Sequence, residues 1–445
     1  MPRYEFKDKK SSKFWDIQHN GDSVEVRFGK IGTDGTGSSK VYASEEKALK
    51  EYESAIAGKL KKGYLLVDDL EPLEDQQARN PELEAALWAD PNDLQAWSAY
   101  ASFLEAEGDI RGRIIQLDLA GEISAANALQ EEHLAIIAGV TLHKAMASID
   151  EEPCLSTTWR RGFLISCRVA TDWDHDAFKP ASMLRKILKS HSARFLLDVR
   201  IGLVDTEGEN NYAQTLNVLT SAGKLSALRY LHIGDFEYPE ETEISWTQVG
   251  NISGIYPVAP NLKTLILTGG EIELGELKHP ELVCLKLQTG GLPARAVTSV
   301  VTADLPKLVE LEMWLGTEEY GGSAQITQLE PLMAGLVLPK LKKLGLKNAE
   351  IQNEIARAIT VSPLLARLEH LDMSMGTMTD EGAQVILEHS ERFKHLLSLN
   401  LSMNYISPEV CARLSAIFGD RVDLSEQEEP DDDGGKLWTY TSVSE

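Results

Sequence analysis

The chain has 445 residues, 43% hydrophobic and 25% charged, the composition of folded protein and too long for one simple core, so two or more domains are expected. Its formal net charge of −25 argues against nonspecific nucleic-acid binding by the molecule as a whole. No run of eighteen apolar residues occurs and no apolar stretch follows the start MPRYEFKDKKSSKF, so no membrane span or signal peptide is readable and a cytoplasmic location is expected.

The charge is unevenly spread. Residues 1–64 hold thirteen Lys/Arg against ten Asp/Glu, which leaves 31 against 59 for the rest of the chain. An acidic body repels phosphate, so any nucleic-acid contact belongs at the N-terminal end and is salt-sensitive. Near its start, KFWDIQ and DSVEVRFG alternate apolar and polar residues about the turn His19-Asn20-Gly21-Asp22, which predicts a hairpin. Gly29, Gly32, Gly35 and Gly37 follow, between strands. They match neither GxxxxGK[ST] nor GxGxxG, so they predict a tight connection rather than a nucleotide cradle. Lys40 to Ala43 reads as another strand, Ser44 as an N-cap, and Leu49, Tyr52, Ile56 and Leu60 as the buried stripe of a helix ending in Lys59, Lys61 and Lys62.

These residues resemble the WGR domain, found beside the catalytic part of DNA-break-dependent poly(ADP-ribose) polymerases and in many bacterial proteins. The resemblance covers about residues 3–65 and rests on Lys13-Phe14-Trp15-Asp16-Ile17, on Phe28 through Gly35, and on Ala48 onward to Lys61-Lys62-Gly63-Tyr64. In the polymerases the signature Trp and Arg contact nucleic-acid backbone near a strand end. This sequence has Phe28 and Lys30 at those places, and lysine lacks the bidentate fork of arginine. The resemblance implies DNA or RNA contact through Arg27, Phe28, Lys30 and Lys40. A purely protein-binding use of the domain stands beside it.

Residues 66–80 are acidic and irregular and read as a linker. A helical module is expected over 81–150, with Pro81 opening one helix, Asp93 capping the next, and Leu94, Trp97, Tyr100 or Ala101 and Leu104 facing a core. Helices at Ile110–Leu119 and Ala125–Ile149 complete it. Residues 83–119 resemble a bacterial module that accompanies leucine-rich repeats. From 151 to 425 the pattern LxxLxL recurs eight times, starting at Leu196, Leu228, Leu262, Leu282, Leu308, Leu341, Leu368 and Leu396. Four copies carry a proline two residues earlier, Pro260, Pro280, Pro306 and Pro339. The last copies resemble the ribonuclease-inhibitor type of leucine-rich repeat. The expected architecture is therefore an α+β WGR-like domain and a helical module, followed by an α/β leucine-rich-repeat solenoid. Its end caps are placed at Trp159–Ala170 and Arg421–Leu424. Residues 426–445 form an acidic tail whose first half is too charged to fold alone, while Leu437–Val443 is expected to pack back on the repeats.

Residues between the leucines should line the concave face. Tyr230, His232, Lys286, Glu312, Trp314, Lys347 and Asp372 are the candidates for binding a protein partner, with Trp314 as anchor. The cysteines Cys154, Cys167, Cys284 and Cys411 are too widely spaced for a CxxC site, and the run Asp172-Trp173-Asp174-His175-Asp176 reads as a solvated loop, so neither cofactor nor metal is expected. No histidine lies in HExxH, and no GxSxG elbow occurs, so catalysis is not expected. The whole is read as a non-catalytic adaptor. The resemblance of the arrangement implies bacterial regulation or antiphage defence and an AAA+ ATPase or von Willebrand-type partner. The rival reading is a protein-protein scaffold without nucleic-acid binding.

Overall fold

A computed structural model of the chain describes residues 3–7, 12–31, 33, 35–60, 62, 64–67, 78–147, 149, 154–176, 178–206 and 210–443. Gly32, Asp34, Lys61 and Gly63, and most of the expected linker, residues 68–77, lie outside the described residues. The chain divides into two compact units, Met1–Gln76 and Gln77–Glu445.

In the first unit, β1 (Arg3–Lys7), β2 (Ser12–Asn20), β3 (Ser23–Lys30), β4 (Thr36–Val41) and β5 (Leu65–Val67) form an antiparallel sheet in the order β4-β3-β2-β1-β5. The β2–β3 hairpin is the one its alternation predicts, and it pairs from Lys13↔Lys30 to Asn20↔Ser23. Strands β1 and β5 were not legible, because their short segments carry no period long enough to read. Leu65–Val67, assigned at the sequence level to the domain's end and the linker, pairs with β1 instead. Helix α1 (Glu45–Leu60) covers a core of Tyr4, Trp15, Ile17, Val24 and Ala48. Its buried face is rotated from the expected stripe. Ala48 is buried and Leu49 is exposed, since a small residue lets the helix approach the ring of Trp15 and its neighbours more closely.

Two glycines are required for packing. A Cβ on Gly29 would lie 2.8 Å from Gly35 Cα, and one on Gly35, whose φ is +69°, would lie 2.4 Å from Phe14 Cζ. The glycine-rich connection therefore closes down on the ring of Phe14.

The second unit begins with helices α2 (Pro81–Ala89), α3 (Leu94–Ala106), α4 (Arg111–Leu119), α5 (Ile123–Glu132), α6 (Leu134–Ala138) and α7 (Val140–Ala147). Asn80 caps α2 and Asp93 caps α3, each side chain accepting from first-turn N–H groups. The single helix expected over 125–149 is three, the last two separated by Gly139 at φ +79°. Trp97, Tyr100, Ala101 and Leu104 face the core as expected, whereas Leu94 in the first turn of α3 is exposed. That core continues into Phe163 and Phe195, so the helices and the following sheet share one apolar interior. Arg111 is buried against the Phe163 ring and donates to Gly162 O, Ile137 O and Ser192 Oγ at 2.9, 2.6 and 3.1 Å.

An eleven-stranded sheet follows. It opens with the antiparallel hairpin β6 (Leu155–Arg160) and β7 (Phe163–Val169), where the sequence suggested one strand. All eight LxxLxL copies then supply strands, Asp198–Ile201, Tyr230–Ile233, Thr264–Thr268, Cys284–Gln288, Glu310–Gly316, Lys343–Ala349, His370–Asp372 and Ser398–Asn400, which stack parallel in chain order and end on Val422–Asp423. The leucines and their substitutes, from Val199 and Ile201 to Leu399 and Leu401, are buried in one continuous core. The returning segments pack against them, as with Ala383, Ile386 and Phe393. The chain after Glu426 is ordered into a small hairpin, Asp431–Asp433 with Lys436–Trp438, because Gly434 and Gly435 take the positive φ that a two-residue turn needs. Beyond it Val443 is buried: its N–H donates to Asn348 Oδ1 at 2.9 Å, and Asn348 Nδ2 donates back to Val443 O. Among the described residues no helix is long and apolar enough to cross a membrane.

Candidate nucleic-acid and partner interfaces

Strand β3 presents Phe28 and Lys30 on one face, two residues apart, and Arg27 on the other. Phe28 is 47% exposed although it lies opposite the buried Trp15. Beside it a cavity of about 520 Å³ is lined by Ser12, Lys13, Phe14, Phe28, Gly29, Lys30, Lys59 and Tyr64. Lys59 Nζ stands 4.4 Å over the Tyr64 ring and 5.0 Å over Trp15. Burial pushes the Lys59 ammonium below the usual lysine range, and the neighbouring charges of Lys62 and Lys13 push it the same way. Among the described residues, Lys13, Lys30 and Lys59 have no carboxylate partner. Three lysines thus converge on an aromatic floor with no carboxylate among the described residues to balance them. Such a site accepts an anion with an attached flat or apolar group.

The other two candidates are elsewhere. Arg27 faces Asp16, which is 2% exposed and takes Arg27 Nη2 at 2.9 Å and Arg3 Nε at 2.7 Å. Both guanidiniums lie over Phe14, and the pair serves to hold the buried carboxylate. Lys40 pairs in register with Val24, toward the far end of β3 from Lys30, and its ammonium stands over Tyr42. Lys13, Lys59 and Tyr64 were not among the candidates. Lys59 and Tyr64 come from a helix end and the chain beyond it, so only folding brings them to the β2–β3 strand ends.

On the repeat sheet, the seven candidates fall on the exposed face in three aligned rows, Tyr230 in the first, His232, Lys286, Glu312 and Asp372 in the second, and Trp314 and Lys347 in the third. Tyr230 carries the Arg200 guanidinium 4.7 Å from its ring, and His232 Nδ1 is 2.9 Å from Asp235 Oδ1. Lys286 pairs with Glu310 at 2.8 Å and Glu312 at 3.6 Å. Trp314 Nε1 donates to Glu312 Oε1 at 2.7 Å, while Lys347 stands over the Trp314 ring and 3.7 Å from Asp372. Burial pushes the Glu312 carboxyl up, but Lys347, Gln288, Lys286 and Trp314 outweigh it and hold it below the usual range. The two clusters are joined: His232 Nε2 lies 3.2 Å from Thr268 Oγ1, which donates to Gln288 Oε1, whose amide donates to Glu312. Thr268 and Gln288 were missed. Their position, immediately after the third apolar residue of LxxLxL, is the one Trp314 and Lys347 share, so the repeat register was the signal that marked them.

Comparison with known proteins matches one segment in each of the two units. Residues 2–70 match the WGR domain, and residues 367–387 match the Leucine Rich repeat. Over 62 residues the chain is 47% identical to "Uncharacterized protein YfeS" of Escherichia coli (strain K12), a match covering 14% of this chain and 25% of that protein, so the chain spans a quarter of that relative's length. A crystal structure of a Bacteroides fragilis protein matches 100% of this chain and 99% of its own at a TM-score of 0.54 and 24% identity, a likeness of fold. The crystal structure of a TLR13–ssRNA13 complex matches 57% of this chain and 32% of its own, at 18% identity and a TM-score of 0.30, too low to carry structural inference. The first unit is a WGR domain and the second carries leucine-rich repeats, the combination of a bacterial WGR/leucine-rich-repeat protein.

Proposed function

We propose that the chain is a non-catalytic recognition protein of the bacterial cytoplasm that contacts nucleic-acid backbone through its WGR domain and holds a protein partner on the concave face of the repeat solenoid. The observation that carries the reading is the cavity at Phe28, where Lys13, Lys30 and Lys59 meet with no carboxylate partner among the described residues, in a chain of net charge −25. A phosphate satisfies the lysines, and an adjoining sugar or base covers Phe28. Arg27 and Lys40 act as structural groups in this arrangement, and Lys13 and Lys59 take their place. The aromatic and charged ladder from Tyr230 to Asp372 supports a protein partner, since Trp, Tyr and Arg in pre-ordered networks are the side chains that anchor interfaces. The partner classes are those implied by the resemblance, an AAA+ ATPase or a von Willebrand-type protein, in regulation or defence.

The test is a titration of the full chain against end-labelled single-stranded, blunt and nicked DNA and matching RNA at two salt concentrations. Binding is expected to weaken with salt and to fall at least about tenfold in Phe28→Ala with Lys30→Ala, the loss of one stacked base being worth about 1–3 kcal/mol. Equal binding by wild type and the double variant overturns the assignment of the site. Absence of salt-sensitive binding leaves the protein-protein scaffold as the function.

A further inference from the structure

Cys154 stands immediately before β6, at the edge where the repeat sheet starts, and is only 1% exposed. Ala170, just after β7, donates its N–H to Cys154 O at 3.0 Å, so the following loop begins beside the cysteine. That loop turns tightly around Asp172, whose Oδ1 accepts the N–H groups of Asp174 and His175 at 3.0 and 2.8 Å and lies 2.7 Å from His175 Nδ1. One ligand atom from each of Cys154, Asp172 and His175 lies within 4.8 Å of the other two. The stretch read from the sequence as a solvated loop is therefore half of a cluster whose other half is a buried thiol, contributed by a residue eighteen positions earlier than Asp172.

Two observations separate this cluster from a chance grouping on the surface. The Cys154 thiol is buried, faces the carboxylate and imidazole, and has no hydrogen-bond partner among the described residues. The imidazole, by contrast, is 42% exposed, so the cluster is closed on the protein side and open to solvent on the other. Thiolate, imidazole and carboxylate together are the donors of zinc, whereas calcium and magnesium take oxygen alone.

We propose that Cys154, Asp172 and His175 bind a Zn²⁺ ion, with water in the fourth position, and that the ion ties the first edge of the repeat sheet to the loop after β7. Binding breaks the Cys154 S–H bond, forms a Zn–S bond and releases the proton to solvent, with no change of oxidation state. Zinc bonds of about 2.0–2.3 Å hold tetrahedral ligand atoms about 3.3–3.7 Å apart, so Asp172 Oδ1 and His175 Nδ1, 2.7 Å apart here, give up their hydrogen bond and separate as the ion enters, a movement the exposed His175 side permits. None of its three residues belongs to the nucleic-acid or partner candidates, and the proposal rests on neither.

Co²⁺ is the probe. The full chain, reduced and stripped with chelator, is expected to take up one Co²⁺ with a thiolate-to-cobalt charge-transfer band and the visible spectrum of a four-coordinate ion, and Zn²⁺ should displace it. The band is expected to be lost in Cys154→Ser and His175→Ala and kept in Cys284→Ser. Zn²⁺ should raise the melting temperature of wild type but not of His175→Ala. Absence of a thiolate band in the folded, reduced chain overturns the proposal, as does a band that survives Cys154→Ser. If Cys154→Ser fails to fold, Asp172→Asn and His175→Ala, both in the exposed loop, decide it: a spectrum identical to wild type in the two variants counts against the site.

Discussion

At the residue scale, Asp16 shows how a buried charge organises the WGR domain. Burial pushes its carboxyl up, and hydrogen bonds and charge from Arg3 and Arg27 more than reverse this, leaving it below the usual carboxylate range. A carboxyl lower in the folded than in the unfolded state stabilises the fold above its unfolded value of about 3.9 and loses that contribution as the pH falls through the folded value. Asp16→Asn is therefore expected to cost about 2 kcal/mol at neutral pH, the worth of hydrogen bonds to a charged group. The gap between wild type and variant should narrow as the pH drops below about 4. Denaturant unfolding followed by Trp15 fluorescence across that range checks it; a constant gap would show that the carboxylate's charge is immaterial.

At the element scale, the tail and the sheet face each make a prediction. Thr441 and Val443 are buried, and the segment runs from Tyr405, whose hydroxyl meets the Tyr440 backbone, past Met375 to Asn348. It straps the last three repeats together. Removing residues 440–445 takes away the partner of a buried Asn348 amide and the burial of Val443, together about 2–4 kcal/mol. Because repeats contact mainly their neighbours, the loss should appear as faster hydrogen exchange in the strands His370–Asp372 and Ser398–Asn400, with the early strands unchanged. Uniform protection in both proteins would mean the strap contributes nothing. Trp314 sits where the Glu312 and Lys347 interactions converge, so Trp314→Ala is expected to weaken a partner by about 2 kcal/mol or more, measured by calorimetry on the isolated complex. An unchanged affinity would move the interface to another part of the face.

At the scale of the whole molecule, charge separates the two units. Residues 1–64 carry a small excess of basic residues, and the rest carries nearly twice as many acidic as basic ones. The first unit has its own core and is divided from the second by contact. Residues 1–76 alone are expected to bind DNA or RNA more tightly than the full chain, by a factor that shrinks as salt rises toward a Debye length of about 3 Å. A factor independent of salt would point to a cause other than long-range repulsion.

What the sequence determined by itself was whatever local period could encode. The β2–β3 hairpin, the cap at Asp93, and all eight repeat strands follow from alternation, end signals and LxxLxL spacing, since each is decided by residues within a few positions of one another. The exposed rows of the sheet were legible for the same reason: register follows once the leucines are aligned. Tertiary structure alone decided what depends on distant segments meeting. It placed Lys59 and Tyr64 beside Phe28, paired Leu65–Val67 with β1, carried Val443 to Asn348, and brought Cys154 to Asp172 and His175. Each of these joins residues that no local pattern connects, and their meeting is set by the packing of whole elements around a shared core.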